Sequence, residues 1–129
     1  MKCKSLKILI SVNFTMDKKN TTFLNSLYMD FLTENELDLF LKSLDEIWTE
    51  QLYSELKQNG LTRHVISKVW NKGQHRITQV FEYDSQHSFK KCETILNYAF
   101  KPENCPTLAK FVFKIFNNRG VVVSEFKSF

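Results

Sequence analysis

A Gly-rich phosphate loop, a GxSxG elbow and an HExxH pair are all missing from this 129-residue chain. Their absence removes the usual sequence signatures of nucleotide binding, acyl-transfer hydrolysis and zinc proteolysis. Cysteine is scarce: Cys3, Cys92 and Cys105 cannot all pair, and none belongs to a CxxC or a Cys/His cluster. Reduced thiols in a cytoplasmic protein are the simplest expectation. Long apolar runs are missing too, since no stretch approaches the roughly 18 residues a membrane-spanning helix needs. Leu6–Phe14 follows basic residues, but Ser11 and Asn13 interrupt it and no small-residue cleavage site follows. A soluble, intracellular protein is expected, with no membrane partner.

A block of like charge is also lacking. The net charge is +4 and the pI about 9.0, yet the lysines fall in small groups (Lys2, Lys4, Lys7; Lys18, Lys19; Lys90, Lys91). Asp45, Glu46, Glu50 and Glu55 lie between them, which describes a solvated surface rather than a nucleic-acid-binding arm. There is no repeat, low-complexity tract or linker, and the length suits one domain over residues 1–129. What is abundant is phenylalanine, with twelve residues. They supply a Phe-rich core or, beyond that, a surface that covers a partner subunit or an apolar pocket.

Leu6, Ile8, Ile10, Val12 and Phe14 alternate as in a strand. Residues 21–32 fit either a helix or a strand, and the strand reading would compete with residues 6–14 for the role of first core strand. Thr33-Glu34-Asn35-Glu36 forms a capping box. Leu37, Phe40, Leu41, Leu44, Ile47, Trp48, Leu52 and Leu56 then make one helical stripe, ended by Asn59-Gly60. Ser85 is positioned to cap a second helix whose stripe is Phe89, Cys92, Ile95, Leu96 and Ala99. Pro106 suits the first turn of a third, with Leu108, Phe111, Val112, Ile115 and Phe116 on one face. A strand ending at an Asn117–Gly120 turn is the competing reading. Val121–Phe129 reads as the final strand.

Between the first two helices, Arg63–Tyr83 reads as a β-hairpin around Gly73. A four-residue turn at Asn71–Gln74 sets His64 opposite Phe81 and Val65 opposite Val80. A three-residue loop would instead oppose Lys68 and Arg76, an unfavourable like-charge pair. The Val-rich face, with Val65, Val69 and Val80, is expected under the helices. The face with His64, Lys68, Trp70, Phe81 and Tyr83 is too aromatic for open water and too polar for a dry core. It is expected to line a pocket towards a partner or ligand.

The resulting order is an α+β, ferredoxin-like βαββαβ domain: an antiparallel sheet with both helices on one face. A strand leading into FLTENELDLFLKSL, the hairpin ending VFEYDSQHSFKKC and the closing VVVSEF resemble the dimeric α/β-barrel superfamily over roughly Leu27 to Ser128. That superfamily includes antibiotic-biosynthesis-type monooxygenases, stress-responsive barrel proteins and NIPSNAP-like proteins. The resemblance implies a homodimer with sheets face to face around a pocket for small, often aromatic molecules. It leaves open a cofactor-independent, monooxygenase-like or isomerase-like enzyme and a non-enzymatic homodimeric binding or interaction protein.

Haem-degrading members use an Asn on the first strand with a Trp and a His on the second core helix. Asn13 and His87 match two of these positions, but no Trp follows in that helix, and no cofactor is expected. His64 and His75 share a hairpin face but lie six strand steps apart, roughly 20 Å, too far to share a metal ion. RNA binding by an RRM-like domain, which shares the element order, is disfavoured because KILISVNF lacks an exposed interior aromatic and ITQVFEY lacks the basic-glycine-aromatic signature. The pocket-lining candidates are therefore His64, Lys68, Trp70, Phe81, Tyr83, His87 and Asn13.

Overall fold

Residues 21–32 resolve as a strand in the structure, a computed structural model that describes residues 20–128. Phe23, Leu27 and Met29 alternate inward along β1, Phe23–Asp30. The strand expected at residues 6–14, and Asn13 with it, lies outside the described residues.

The long helical stripe becomes three helices: α1 (Glu34–Lys42), α2 (Leu44–Ile47) and α3 (Glu50–Gln58). Thr33 caps α1 by accepting from the Glu36 amide at 3.1 Å. The reciprocal bond of a capping box is not made, because Glu36 Oε1 is buried without a partner. Ser43 ends α1, with its hydroxyl donating back to the Leu39 carbonyl. Thr49 starts α3 by accepting from the Leu52 amide. The two N-caps, Thr33 and Thr49, each contribute about 1 kcal/mol. The break between helices keeps the apolar phase, so Leu37, Phe40, Ile47, Leu52 and Leu56 are all buried as the stripe predicts.

Gly60, at φ +105°, turns the chain into β2 (Leu61–Lys68), which pairs with β3 (Arg76–Tyr83). The register is as read from sequence: His64 opposes Phe81 and Val65 opposes Val80. A bulge between Leu61 and Arg63 shifts the pairing at the far end. Ser85 caps α4 (Gln86–Ala99) as expected, accepting from the Ser88 amide at 3.0 Å.

The expected third helix over residues 107–117 is a single turn, α5 (Pro106–Ala109). The chain then forms β4, Lys114–Val121, so the last strand is not Val121–Phe129. Pairing with β1 over its whole length, Ile115 to Met29 and Asn117 to Leu27, outweighs both the helical spacing and the turn-like Asn-Asn-Arg-Gly composition. Strand order is β2-β3-β1-β4, with every neighbouring pair antiparallel, which is the ferredoxin-like arrangement.

The sheet faces are the reverse of the expectation. Ile77, Gln79, Phe81 and Tyr83 are buried against the helices, with His64 and Ile66 beside them. Val65, Val69 and Val80 point the other way and are only half-buried. The polar members of the aromatic face pair with one another or reach its rim, so that face can be dry.

Candidate functional site

The break at Trp48 and Thr49 places the indole over the sheet. Trp48 lies 4.5 Å from the His64 ring, 5.7 Å from Phe81 and 5.1 Å from Phe100, centroid to centroid. His64 stacks on Phe81 at 4.1 Å with the rings 11° from parallel. From α3, the Tyr53 hydroxyl reaches His64 Nδ1 at 2.7 Å, while His64 Nε2 meets Gln79 Oε1 at 2.8 Å.

These bonds fix a direction. Gln79 Nε2 donates to Met29 Sδ at 3.0 Å, which leaves Oε1 as the acceptor for the imidazole. His64 therefore carries its proton on Nε2, and bare Nδ1 accepts from Tyr53. Burial holds the His64 pKa below its ordinary value, opposed by the Gln79 hydrogen bond, so the ring is neutral at pH 7. Burial also raises the Tyr53 pKa and keeps it a phenol.

Among the described residues, three buried side-chain polar atoms lack a partner, and two border this cluster: Trp48 Nε1 and Asn25 Oδ1. Asn25 pairs with Phe81 in the sheet and so shares its helix-facing side. The cluster thus holds one unpaired donor, on Trp48, and one unpaired acceptor, on the strand residue next to Phe81, with no formal charge. Such a set suits a planar, neutral molecule with a polar edge.

A cleft of about 590 Å³ lies between α3 and α4, lined in part by Ile47, Leu52, Ile95, Ala99 and Phe100. Phe100 touches both this cleft and Trp48, so two aromatic rings separate the cleft from His64. A second hollow of about 390 Å³ sits at the hairpin tip. There Lys68 Nζ meets Glu34 at 2.5 Å and Asp38 at 3.4 Å, and His75 Nδ1 lies 3.2 Å from Glu34. No group of three or more His, Cys, Asp or Glu side chains among the described residues is placed to hold a metal ion.

Of the residues singled out from sequence, His64 and Phe81 alone join this cluster. Lys68 and Trp70 line the hairpin hollow instead. Tyr83 is buried edge-on against Phe89, at the other end of the strand. His87 is exposed in the first turn of α4. Trp48, Tyr53 and Asn25 were not candidates. Trp48 and Tyr53 reside on a helical stretch whose only sequence signal was its apolar stripe, and Asn25 sat in the ambiguous segment.

The profile of a domain of unknown function, DUF6974, matches residues 20–122. The chain belongs to this family. No curated protein matches it. A dimeric ferredoxin-like protein from an uncultured marine organism is 65% identical to this DUF6974 chain. It covers 84% of this chain and 100% of its own length, with a TM-score of 0.80. A second dimeric ferredoxin-like protein, also from an uncultured marine organism, is 25% identical with a TM-score of 0.66, covering 83% and 100%. A Pseudomonas aeruginosa protein at 6% identity and a TM-score of 0.51, covering 82% and 98%, shares the fold alone. The ferredoxin-like reading of the sequence holds, and the similar proteins from marine organisms are described as dimeric. Among the described residues, no helix is long and apolar enough to cross a membrane.

Proposed function

We propose that this DUF6974 protein is a homodimer whose subunits each bind a small, planar, uncharged molecule beside His64. The observation that carries the binding site is the pair of buried, unpartnered atoms, Trp48 Nε1 and Asn25 Oδ1, next to the neutral Tyr53–His64–Gln79 chain. Leaving such groups unpaired costs about 1–3 kcal/mol each. A ligand edge with an acceptor and a donor offsets that cost. The molecule reaches the site from the α3–α4 cleft, past Phe100 and Trp48.

The dimer is supported by the uncovered sheet face. Leu24, Tyr28, Val65 and Val80 are half-buried and Phe116 is exposed there, with no helix of the described residues over them. A second sheet packed on this face would bury them. Val80→Asp is expected to give a monomer in sedimentation equilibrium while retaining the wild-type far-UV spectrum.

One observation favours an enzyme over a passive binding protein. The Tyr53–His64 hydrogen bond couples a phenol to a neutral imidazole, a donor and an acceptor able to move a proton on a bound substrate once the substrate displaces their mutual bond. Of the reaction classes implied by the family resemblance, isomerisation suits this pair better than oxygenation, because it needs nothing beyond proton transfer.

The test is a protein-observed NMR screen of planar phenols and amides. Binders are expected to shift the Trp48 indole N–H and the His64 ring signals, and His64→Ala is expected to abolish the shifts. Shifts confined to the protein surface would contradict the reading.

A further inference from the structure

The cleft between α3 and α4, about 590 Å³, has room for a small organic molecule. Its inner wall is apolar. Ile47, Leu52 and Cys105 are each less than a tenth exposed, and α4 and its end add Ile95, Ala99 and Phe100. No lysine, arginine or histidine of the described residues lines it, whereas Glu46 and Glu55 do. Volume and an apolar wall alone would admit any small hydrophobe, and the charge around the cleft narrows that choice.

Residues 43–56, which supply the α2–α3 side, carry Asp45, Glu46, Glu50 and Glu55 and no base. Other acids in the fold are matched: Asp30 to Arg76, Glu34 and Asp38 to Lys68, Glu82 to Arg63 and Glu93 to Arg119. Among the described residues, none of the four has an ion-pair partner, although the chain as a whole carries a net charge of +4. Glu46 accepts at one oxygen from the Thr107 hydroxyl, at 3.0 Å, and Glu55 uses only its backbone carbonyl, which accepts from Asn59. On the α4 side, Lys101 packs over the Tyr98 ring, 5.5 Å from its centroid, without lining the cleft. One cation therefore stands against four acids. A cleft with unneutralised carboxylates and low-polarity walls concentrates positive charge.

We propose that the α3–α4 cleft binds an organic cation, an ammonium group carried on an aryl or alkyl body. The body lies against Leu52, Ile95 and Phe100, and the ammonium is held between Glu46 and Glu55. This site does not depend on the neutral ligand proposed beside His64. The cleft methyl groups report the cation, whereas the Trp48 indole and the His64 ring report the other ligand, so either reading can fail alone.

The full chain, labelled at its Ile, Leu and Ala methyl groups, is titrated with phenylbutylamine and with phenylbutanol, its neutral counterpart. The amine is expected to shift the Leu52, Ile95 and Ala99 methyl signals saturably and to bind at least tenfold more tightly than the alcohol. Raising sodium chloride from about 20 mM to about 500 mM is expected to remove most of that advantage. Glu46 and Glu55 are exposed, so Glu55→Gln and the double change Glu46→Gln/Glu55→Gln should leave the fold intact. The double variant is expected to bind the amine no better than the alcohol, with the single change in between.

Equal binding of amine and alcohol by the wild type overturns the proposal in favour of a merely apolar cleft. Shifts that spread over exposed acids and spare the Leu52 and Ile95 methyl groups overturn it in favour of diffuse charge attraction. Nuclear Overhauser contacts from the methyl groups of residues 6–12 to Ile95 overturn it in favour of the chain's own N-terminal residues, which include Lys2, Lys4 and Lys7 beside their apolar run.

Discussion

His64 and Phe81 face each other across the central hairpin with their rings 4.1 Å apart and nearly parallel. This contact belongs to the side of the sheet beneath the helices, where Trp48 and Tyr53 close over it. A histidine so placed is largely screened from solvent, so its two ring nitrogens depend on their neighbours.

Tyr53→Phe removes the donor to His64 Nδ1 and leaves a partly buried acceptor unpaired. The expected loss is about 1–3 kcal/mol of unfolding free energy, read by urea titration. The double change Tyr53→Phe/His64→Gln is expected to cost less than the sum of the two single changes, because the pair acts together.

Acidification tests the neutral imidazole. The folded-state pKa of His64 is lowered by burial, so the unfolded chain binds this proton more readily. Its contribution is complete above the ordinary value of 6.5 and is lost as the pH falls from there through the depressed folded value. The slope from this one group is at most about 1.4 kcal/mol per pH unit. Stability measured from pH 7.5 to 5 is expected to fall in the wild type, and His64→Gln is expected to flatten that part of the curve.

Two glycines with positive φ separate strain from crowding. At Gly60 an added Cβ would overlap the Ser88 side chain and lie 2.7 Å from Asp84 Oδ1. Gly73 has nothing within 4 Å. Gly73→Ala is expected to cost about 1–2 kcal/mol from the left-handed backbone alone. Gly60→Ala is expected to cost about 3–5 kcal/mol, because the Asp84–Ser88–Ser85 cluster that caps α4 must also move. Equal losses in chemical denaturation would contradict this packing.

Cys92 is fully buried beneath the end of α3, where its thiol points at the Leu56 and Asn59 carbonyls. Burial pushes its pKa up to about 11. It is expected to resist iodoacetamide at pH 8 in the native protein and to react once urea unfolds the chain, as followed by peptide mass spectrometry.

Much of the fold was legible because local signals agreed with it. The hairpin register followed from avoiding the Lys68–Arg76 pairing, and the Ser85 cap and the Gly60 turn follow from short-range chemistry. The faces were not legible. Counting His64, Lys68 and Gln79 as polar made their side look wet, whereas His64 and Gln79 satisfy each other and Lys68 reaches Glu34 at the rim. The valines looked like core because a surface awaiting another sheet has core composition. The helix break was hidden because Ser43 and Thr49 interrupt the backbone without changing the apolar phase. Tyr53 was invisible as a partner of His64 because only tertiary packing brings α3 over β2.

The central claim is that the His64 cluster is a binding site. Crystals of the full chain soaked with planar phenols and amides test it most directly. The account predicts a ring lying against Phe81 and Trp48, its polar edge within hydrogen-bonding distance of Trp48 Nε1 and Asn25 Oδ1. Fragments that bind only elsewhere, with those two atoms bonded to each other or to ordered water in every soak, would contradict it.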